Sequence, residues 1–438
     1  MRLKRFFSIC LLLMSVVAVK AADLKPVLPI NHWTTKNGVP VYFVAKSQIP
    51  IVDISIIFHA GSAYDDSSPG IAQFTSQMLN QGTRNLTVDQ IADRFESAGA
   101  RYNVVINQDM VIFQLRSLSK PEFFTPAFNT FAELISHANF PQAAVYRTKK
   151  QIEIALQQEE QTPTSIARNT FYRILYGQHP YALSLLGTTQ SVEQITRTKL
   201  VNFYQRYYVD KNAIIAIVGN VTQDKAAILA EQLASALPKG EKVVPLPIPT
   251  SQLTDRIYKI HYLSQQTTIM LGQIGITLKD PDYFPLMLGN QILGGGILTS
   301  QLFSEVRNKR GLCYGISSHF NLLQAKGPFI ISLQTRSNQA STALSITQNT
   351  LENFVAKGPS EAELMAAKRA LIGSFPLTIA NNAAILDSLE KIGFYELPLN
   401  YLDKYRDNFV NVNVRQVHNA FQKHIKPDKF LIIMVGKN

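Results

Sequence analysis

The chain has 438 residues, 46% of them hydrophobic and 17% charged, with a formal net charge of +12. That length exceeds a single ordinary core and implies two or more domains, and the composition excludes a low-complexity or disordered chain. The Lys and Arg residues are scattered rather than clustered, which suits a solvated basic surface and gives poor support for nucleic-acid binding.

In chain order, the first element is an export segment. "MRLKRFF" is a positively charged start, "SICLLLMSVVAV" an apolar run, and "VKA" before Ala22 suits cleavage. The apolar run is too short for a comfortable membrane span, so no integral anchor is expected. Cys10 lies inside the run rather than at the cleavage point, which argues against a lipid anchor. The expectation is residues 1–21 as a signal peptide, a mature start near Ala22, and a periplasmic or secreted protein. Losing Arg2, Lys4, Arg5 and Lys20 and no acid lowers the net charge from +12 to +8. One cysteine, Cys313, then remains, so no intrachain disulfide can form.

Strands follow in "VPVYFVAK" (39–46) and "IVDISIIFHA" (51–60), both with β-branched alternation. Next, "GIAQFTSQMLNQGT" (70–83) reads as a short amphipathic helix with a Gly-Thr stop, its polar face carrying Gln73, Ser76 and Gln77. A longer helix is predicted near 141–159. "YYVDKNAIIAIVGNV" (207–221) passes from an Asp-Lys turn into an apolar β run closed by Val-Gly.

These elements recur. "HIKPDKFLIIMVGKN" (424–438) repeats the last of them, with Asp210 and Asp428 218 positions apart. "GPSEAELMAAKRALIGSF" (358–375) matches the helix near 141–159, and "TTIMLGQIGIT" (267–277) matches the strand at 51–61. Three pairs in one order at nearly one offset predict two homologous halves. The N-terminal half covers 22–240 and the C-terminal half 255–438, joined by a Pro-, Lys- and Val-rich extended linker at 241–254. Strands grouped before helices predict an α+β fold, each half an antiparallel or mixed sheet with helices packed on it. The two halves are expected to face each other across a cleft.

Two features of the C-terminal half stand out. "LGGGILTSQLF" (293–303) holds Gly294, Gly295 and Gly296 in a row, which marks flexibility, a close backbone approach or a tight turn. No Gly-Lys-Ser/Thr follows, so it is not a phosphate loop. In "VRNKRGLCYG" (306–315), Arg307 and Tyr314 stand seven residues apart. By itself that spacing is unremarkable; an Arg and a phenol can stabilise negative charge on an oxygen, but neither can activate water. Cys313 beside them has no neighbouring His or second Cys and reads as a small packed residue.

Along essentially its whole mature length the chain resembles the pitrilysin-like zinc peptidases, and within them the mitochondrial-processing-peptidase-like branch. The matching stretches are "FHAGSAYDDSSPGIAQFTSQMLNQGT", "HPYALSLLGTTQSVEQIT", "FYQRYYVDKNAIIAIVGNV", "LGGGILTSQLFSEVRNKRGLCYGISS" and "PSEAELMAAKRALIG". The resemblance implies an inverted H-x-x-E-H on a helix, two His binding Zn²⁺ and the Glu acting as base, with a later Glu as third ligand. Here the motif positions read Gln73, Ser76 and Gln77, and the later Glu falls near Gln157, with Glu159 and Glu160 close enough to leave that alignment open. A carboxamide is a poor partner for Zn²⁺ and a serine is no base, so no zinc is expected in this chain. None of the eight histidines forms an i, i+3 or i, i+4 pair that could replace the site.

What the resemblance assigns instead is a zinc-less subunit that contacts substrate. Arg307, Tyr314 and the loop Gly294, Gly295 and Gly296 would reach a peptide or unfolded protein held at the zinc site of a homologous H-x-x-E-H partner. The alternative is a non-enzymatic scaffold or peptide-binding protein of the same fold. Pairing of the chain with itself is left open.

Overall fold

A computed structural model describes residues 26–251, 253 and 255–437. The expected signal peptide and the start near Ala22 lie outside these residues. Among the described residues no helix is long and apolar enough to cross a membrane.

Six strands form the first sheet: β1 (Asn31–Thr34), β2 (Pro40–Ala45), β3 (Ile51–Phe58), β4 (Arg101–Ile106), β5 (Val111–Leu118) and β6 (Ala213–Gly219). Five form the second: β7 (Ile257–His261), β8 (Gln266–Ile274), β9 (Cys313–Phe320), β10 (Pro328–Arg336) and β11 (Leu431–Gly436). The spatial orders are β1-β2-β6-β3-β5-β4 and β7-β11-β8-β10-β9. Set β1 aside and the two orders are the same. In each sheet the closing strand is parallel to its first neighbour, β6 to β2 and β11 to β7, while the remaining pairs are antiparallel. The duplication read from the sequence is therefore a duplication of topology. Residues 238–251 between the sheets carry no helix or strand.

The helices at the predicted places are Ile71–Met78, Gln142–Glu160 and Glu361–Ser374. The last begins in a capping box, Ser360 bonding the backbone of Glu363 and receiving its side chain in return.

Strand alternation is where the expectation fails. β3 is buried at seven consecutive positions and β6 at all of its residues, so both faces of the sheet are covered. The cover comes from an exchange of helices between the halves. Helix Asn382–Phe394, from the C-terminal half, buries Ile385, Leu389 and Ile392 against Tyr42, Ile57 and Ile214 of the first sheet. Helix Pro163–Tyr176, from the N-terminal half, buries Ala167, Phe171 and Leu175 against Met270, Ile330 and Ile433 of the second. The opposite face of each sheet is packed by helices of its own half.

Hairpin loops tie the halves as well. Tyr181 donates its hydroxyl to Asp109, in the β4–β5 loop, at 2.5 Å, and the backbone N–H of Gln324, in the β9–β10 loop, donates to the same carboxylate at 2.7 Å. Burial pushes Asp109 up to about 6 even though both hydrogen bonds pull it down.

Candidate functional site

Helix Ile71–Met78 is fixed at its start by a buried carboxylate. Asp65 accepts from the backbone N–H groups of Gly70 at 2.6 Å and Ala72 at 2.9 Å, satisfying donors that have no partner within the helix. Gly82, at φ 152°, provides the stop read from the sequence. Gln73 and Gln77 share one face at i, i+4 spacing, and their carboxamides make no hydrogen bond among the described residues. Ser76 is 1% exposed and donates its hydroxyl back to the carbonyl of Gln73 at 2.8 Å.

Ser76 and Gln77 line a pocket of about 310 Å³ with Asn80, Gln81, Val104 of β4, and Thr148, Gln151 and Ala155 from helix Gln142–Glu160. The helix thus faces Ser76 and Gln77 with Thr148, Gln151 and Ala155, while Gln73 does not line the pocket. Gln157, expected at the third-ligand position, is exposed and does not line the pocket. The cause is helical register: six residues are about 9 Å of axial rise. Glu159 is turned away into contacts with Arg168 at 2.7 Å and Asn169 at 2.9 Å, and Glu160 is exposed. The pocket lining offers carboxamides and hydroxyls and no imidazole, thiolate or carboxylate. That donor set does not fit zinc.

Elsewhere among the described residues, Asp280, Asp282 and His424 could gather three ligand atoms within 4.8 Å of one another. The Asp282 carboxylate, however, already receives Lys423 Nζ at 2.6 Å and His424 Nε2 at 2.8 Å. A metal ion would have to displace an ammonium group, so the cluster reads as an ion-pair network. Of the other histidines, His179 donates to Pro247 and bonds Tyr181 N, and His137 ends helix Pro121–His137. His59 follows β3 rather than lying within it.

In the C-terminal half the structure brings Arg307 and Tyr314 together. Residues Phe303–Asn308 form a π-helical turn, and Gly311 at φ 62° turns the chain into β9. The Arg307 guanidinium then lies 5.0 Å from the centre of the Tyr314 ring and 4.7 Å from that of Phe303, a cation–π sandwich. Neighbouring cations have a partner: Lys309 and Arg310 share the one carboxylate of Glu305, at 2.6 and 2.7 Å. Arg307 makes no ion pair among the described residues. Tyr314 is 86% exposed. Its position comes from a β-bulge, since Cys313 pairs with Thr335 and Ile316 with Leu333, so Tyr314 and Gly315 together oppose Gln334. Cys313 is half-buried, and burial pushes its thiol up in spite of Arg307.

Of the roles open to the glycine run, the structure shows the close backbone approach. Gln291–Gly295 is π-helical, and Gly294 and Gly296 are buried. A Cβ on Gly294 would come within 2.4 Å of Ser318 Oγ and 2.7 Å of Ser318 N, on β9. Gly294 lets this turn lie against the strand that carries Tyr314. The exposed tip belongs to the next residues, Ile297 and Leu298, at 79% and 65% exposure. Sequence reasoning passed over them, although two aliphatic residues following a glycine run are a readable signal. β9 and β4 are the last strands of their sheets, so each has one free edge that an extended peptide could pair with.

Comparison with known proteins agrees with this picture. A family profile described as insulinase (peptidase family M16) matches residues 41–189, and one described as peptidase M16 inactive domain matches 194–371. A protein of Rickettsia felis described as an uncharacterized zinc protease is 26% identical over 402 residues, covering 92% of this chain and 90% of its own. One from Helicobacter pylori, described as the non-peptidase homolog YmxG, is 23% identical over 401 residues, covering 91% and 92%. The crystal structure of a peptidase M16 inactive domain from Pseudomonas fluorescens superimposes with a TM-score of 0.91 at 39% identity, covering 94% of this chain and 99% of that one. With a duplicated fold and these relatives along its length, the chain belongs to peptidase family M16.

Proposed function

We propose that the chain is the zinc-less, substrate-contacting subunit of a heterodimeric metallopeptidase of the mitochondrial-processing-peptidase-like branch. Its partner would be a homologous chain with an intact H-x-x-E-H, supplying both the zinc and the carboxylate that activates water. The observation that carries this reading is Arg307, a cation without an ion-pair partner among the described residues, stacked on the exposed Tyr314 of an edge strand. A guanidinium and a phenol so placed can donate to an oxyanion developing on a scissile carbonyl. The free edge of β9 would align an extended peptide, with Ile297 and Leu298 as apolar contacts. The apolar N-terminal run supports a periplasmic or secreted site of action.

The experiment is peptidase activity with added zinc, for the chain alone and for the chain mixed with an H-x-x-E-H homologue from the same genome. The expected result is activity in the mixture only. The Arg307→Ala/Tyr314→Phe double variant should lower it by about 10²- to 10³-fold, the usual cost of an oxyanion donor. Because Tyr314 is exposed, the double variant should keep its fold and its ability to form the complex. A verified complex without activity would instead favour a non-enzymatic scaffold, a reading to which the missing metal donors also lend themselves.

A further inference from the structure

Where the halves and the linker meet, a pocket of about 270 Å³ opens to solvent past the exposed side chains of Lys242, Lys279 and Glu396, and residues from five separate segments line it. Its apolar wall is Leu278, Leu323 and Phe394, each almost fully buried in the cores behind it. Its polar lining includes Lys242 from the linker, Lys279 after β8, Glu396 after the exchanged helix and His59 after β3.

The charges in this lining do not balance. One carboxylate, Glu396, stands 4.0 Å from Lys242 and 3.5 Å from Lys279, which leaves a net positive charge. Glu396 also adopts φ 50°, a left-handed conformation that a residue other than glycine holds only when its surroundings impose it.

His59 adds a donor. Its ring stacks on Phe394 at 4.3 Å, and its Nδ1 is buried with no hydrogen-bond partner. Burial, with Lys242 nearby, pushes its pKa down to about 4, so the ring is neutral at physiological pH. A buried N–H without an acceptor is rarer and more costly than an unpaired ring nitrogen. The single proton therefore belongs on Nε2.

We propose that this pocket binds a small apolar carboxylate of amino-acid size, its carboxylate held by Lys242 and Lys279 and its side chain packed on Leu278, Leu323 and Phe394. His59 donates to an oxygen of the same ligand. The volume, about 270 Å³, lies just below the usual range for small-molecule sites, so it suits a ligand of amino-acid size and excludes larger cofactors. A free N-acylated amino acid and the C-terminal residue of a peptide share this chemistry. The site is separate from the Arg307–Tyr314 edge, so it stands or falls independently of the subunit reading.

The test is calorimetric titration of the full chain with N-acetyl-leucine and with neutral N-acetyl-leucinamide. A hexapeptide ending in leucine, as free acid and as amide, forms the second arm. The acids should bind at least about tenfold more tightly than the amides, as expected for charge-assisted hydrogen bonds. Binding of the peptide acid assigns the site to peptide C-termini, and binding of N-acetyl-leucine alone assigns it to free acids. Lys242→Gln/Lys279→Gln should abolish the preference, and Glu396→Gln, which removes the competing carboxylate, should tighten binding of the acids. Equal binding of acid and amide would overturn the proposal. So would no saturable binding up to about 10 mM, or unchanged binding in the lysine variant with its fold verified by circular dichroism.

Discussion

Gln73 and Gln77 stand at i, i+4 on one helix, the spacing of a pair of metal ligands, while their side chains and that of Ser76 carry no suitable donor, and this difference can be tested residue by residue. Zinc sites require ligands that converge from two elements, so the identity of the facing residue on helix Gln142–Glu160 decides whether a site can be rebuilt. The pocket places Gln151 there. The variant Gln73→His/Gln77→His/Gln151→Glu should therefore bind zinc, and at least about tenfold more tightly than Gln73→His/Gln77→His/Gln157→Glu. Competition with a chromophoric chelator measures both, and equal affinities would contradict the assignment of Gln151. At this scale the motif positions were legible in sequence because i and i+4 on one helix are a local relation. The third position was not, because it depends on how a second helix, some seventy residues later, is set against the first. Arg307 and Tyr314 were singled out only through the family resemblance, since an Arg and a Tyr seven residues apart are unremarkable by themselves. The bulge at Tyr314 and Gly315 that turns the phenol outward was hidden in the register of β9 on β10.

Between residue and molecule lie the packed elements. The π-helical turn Gln291–Gly295 is held against β9 by the absence of a side chain at Gly294. Gly294→Ala forces a methyl group into Ser318, where backbone as well as side chain must move, and should destabilise the chain by about 1–3 kcal/mol. Denaturant unfolding monitors this; an unchanged midpoint would mean that the turn is loose on the strand. The contact of helix Asn382–Phe394 with the first sheet contains a titratable group of its own. Glu390 accepts from Gln114 Nε2 of β5 at 2.9 Å, and burial pushes its pKa from an ordinary 4.5 up to about 7. Between those values the folded state keeps a proton that the unfolded state has released. The contribution of Glu390 to stability is thus greatest below pH 4.5 and is lost as pH rises towards 7 and beyond. Glu390→Gln retains an acceptor for Gln114 and removes the titration. Its melting temperature relative to wild type should therefore be higher at pH 8 than at pH 5, and a difference that does not vary with pH would show that Glu390 titrates normally.

For the whole molecule, the duplication was legible because the closing strands β6 and β11 keep the same Asp-Lys entry and Val-Gly exit. The exchange of helices was not. Amphipathic periodicity shows that a helix has a buried face and says nothing about which sheet receives it. The N-terminal half donates Pro163–Tyr176 to the second sheet, and the C-terminal half donates Asn382–Phe394 to the first. Each sheet would lose the cover of one face if the chain were cut in the linker. For the first sheet that exposes Tyr42, Ile57, Ile112, Ile214 and Val218 together, a continuous apolar surface of the kind that drives association. Residues 26–251 and 255–437 produced separately should each be insoluble or self-associated, while co-expression should restore a single complex of both pieces through the reciprocal helices. Size-exclusion chromatography of the pieces alone and together reads the outcome directly. Two soluble, folded monomers that ignore each other would mean that the halves are independent domains merely tethered by residues 238–251. The helix exchange would then contribute little to stability. Recovery of the full complex only on co-expression would make the helix exchange the connection that turns two homologous halves into one rigid molecule, with helix Ile71–Met78 and the Arg307–Tyr314 edge held in fixed relation.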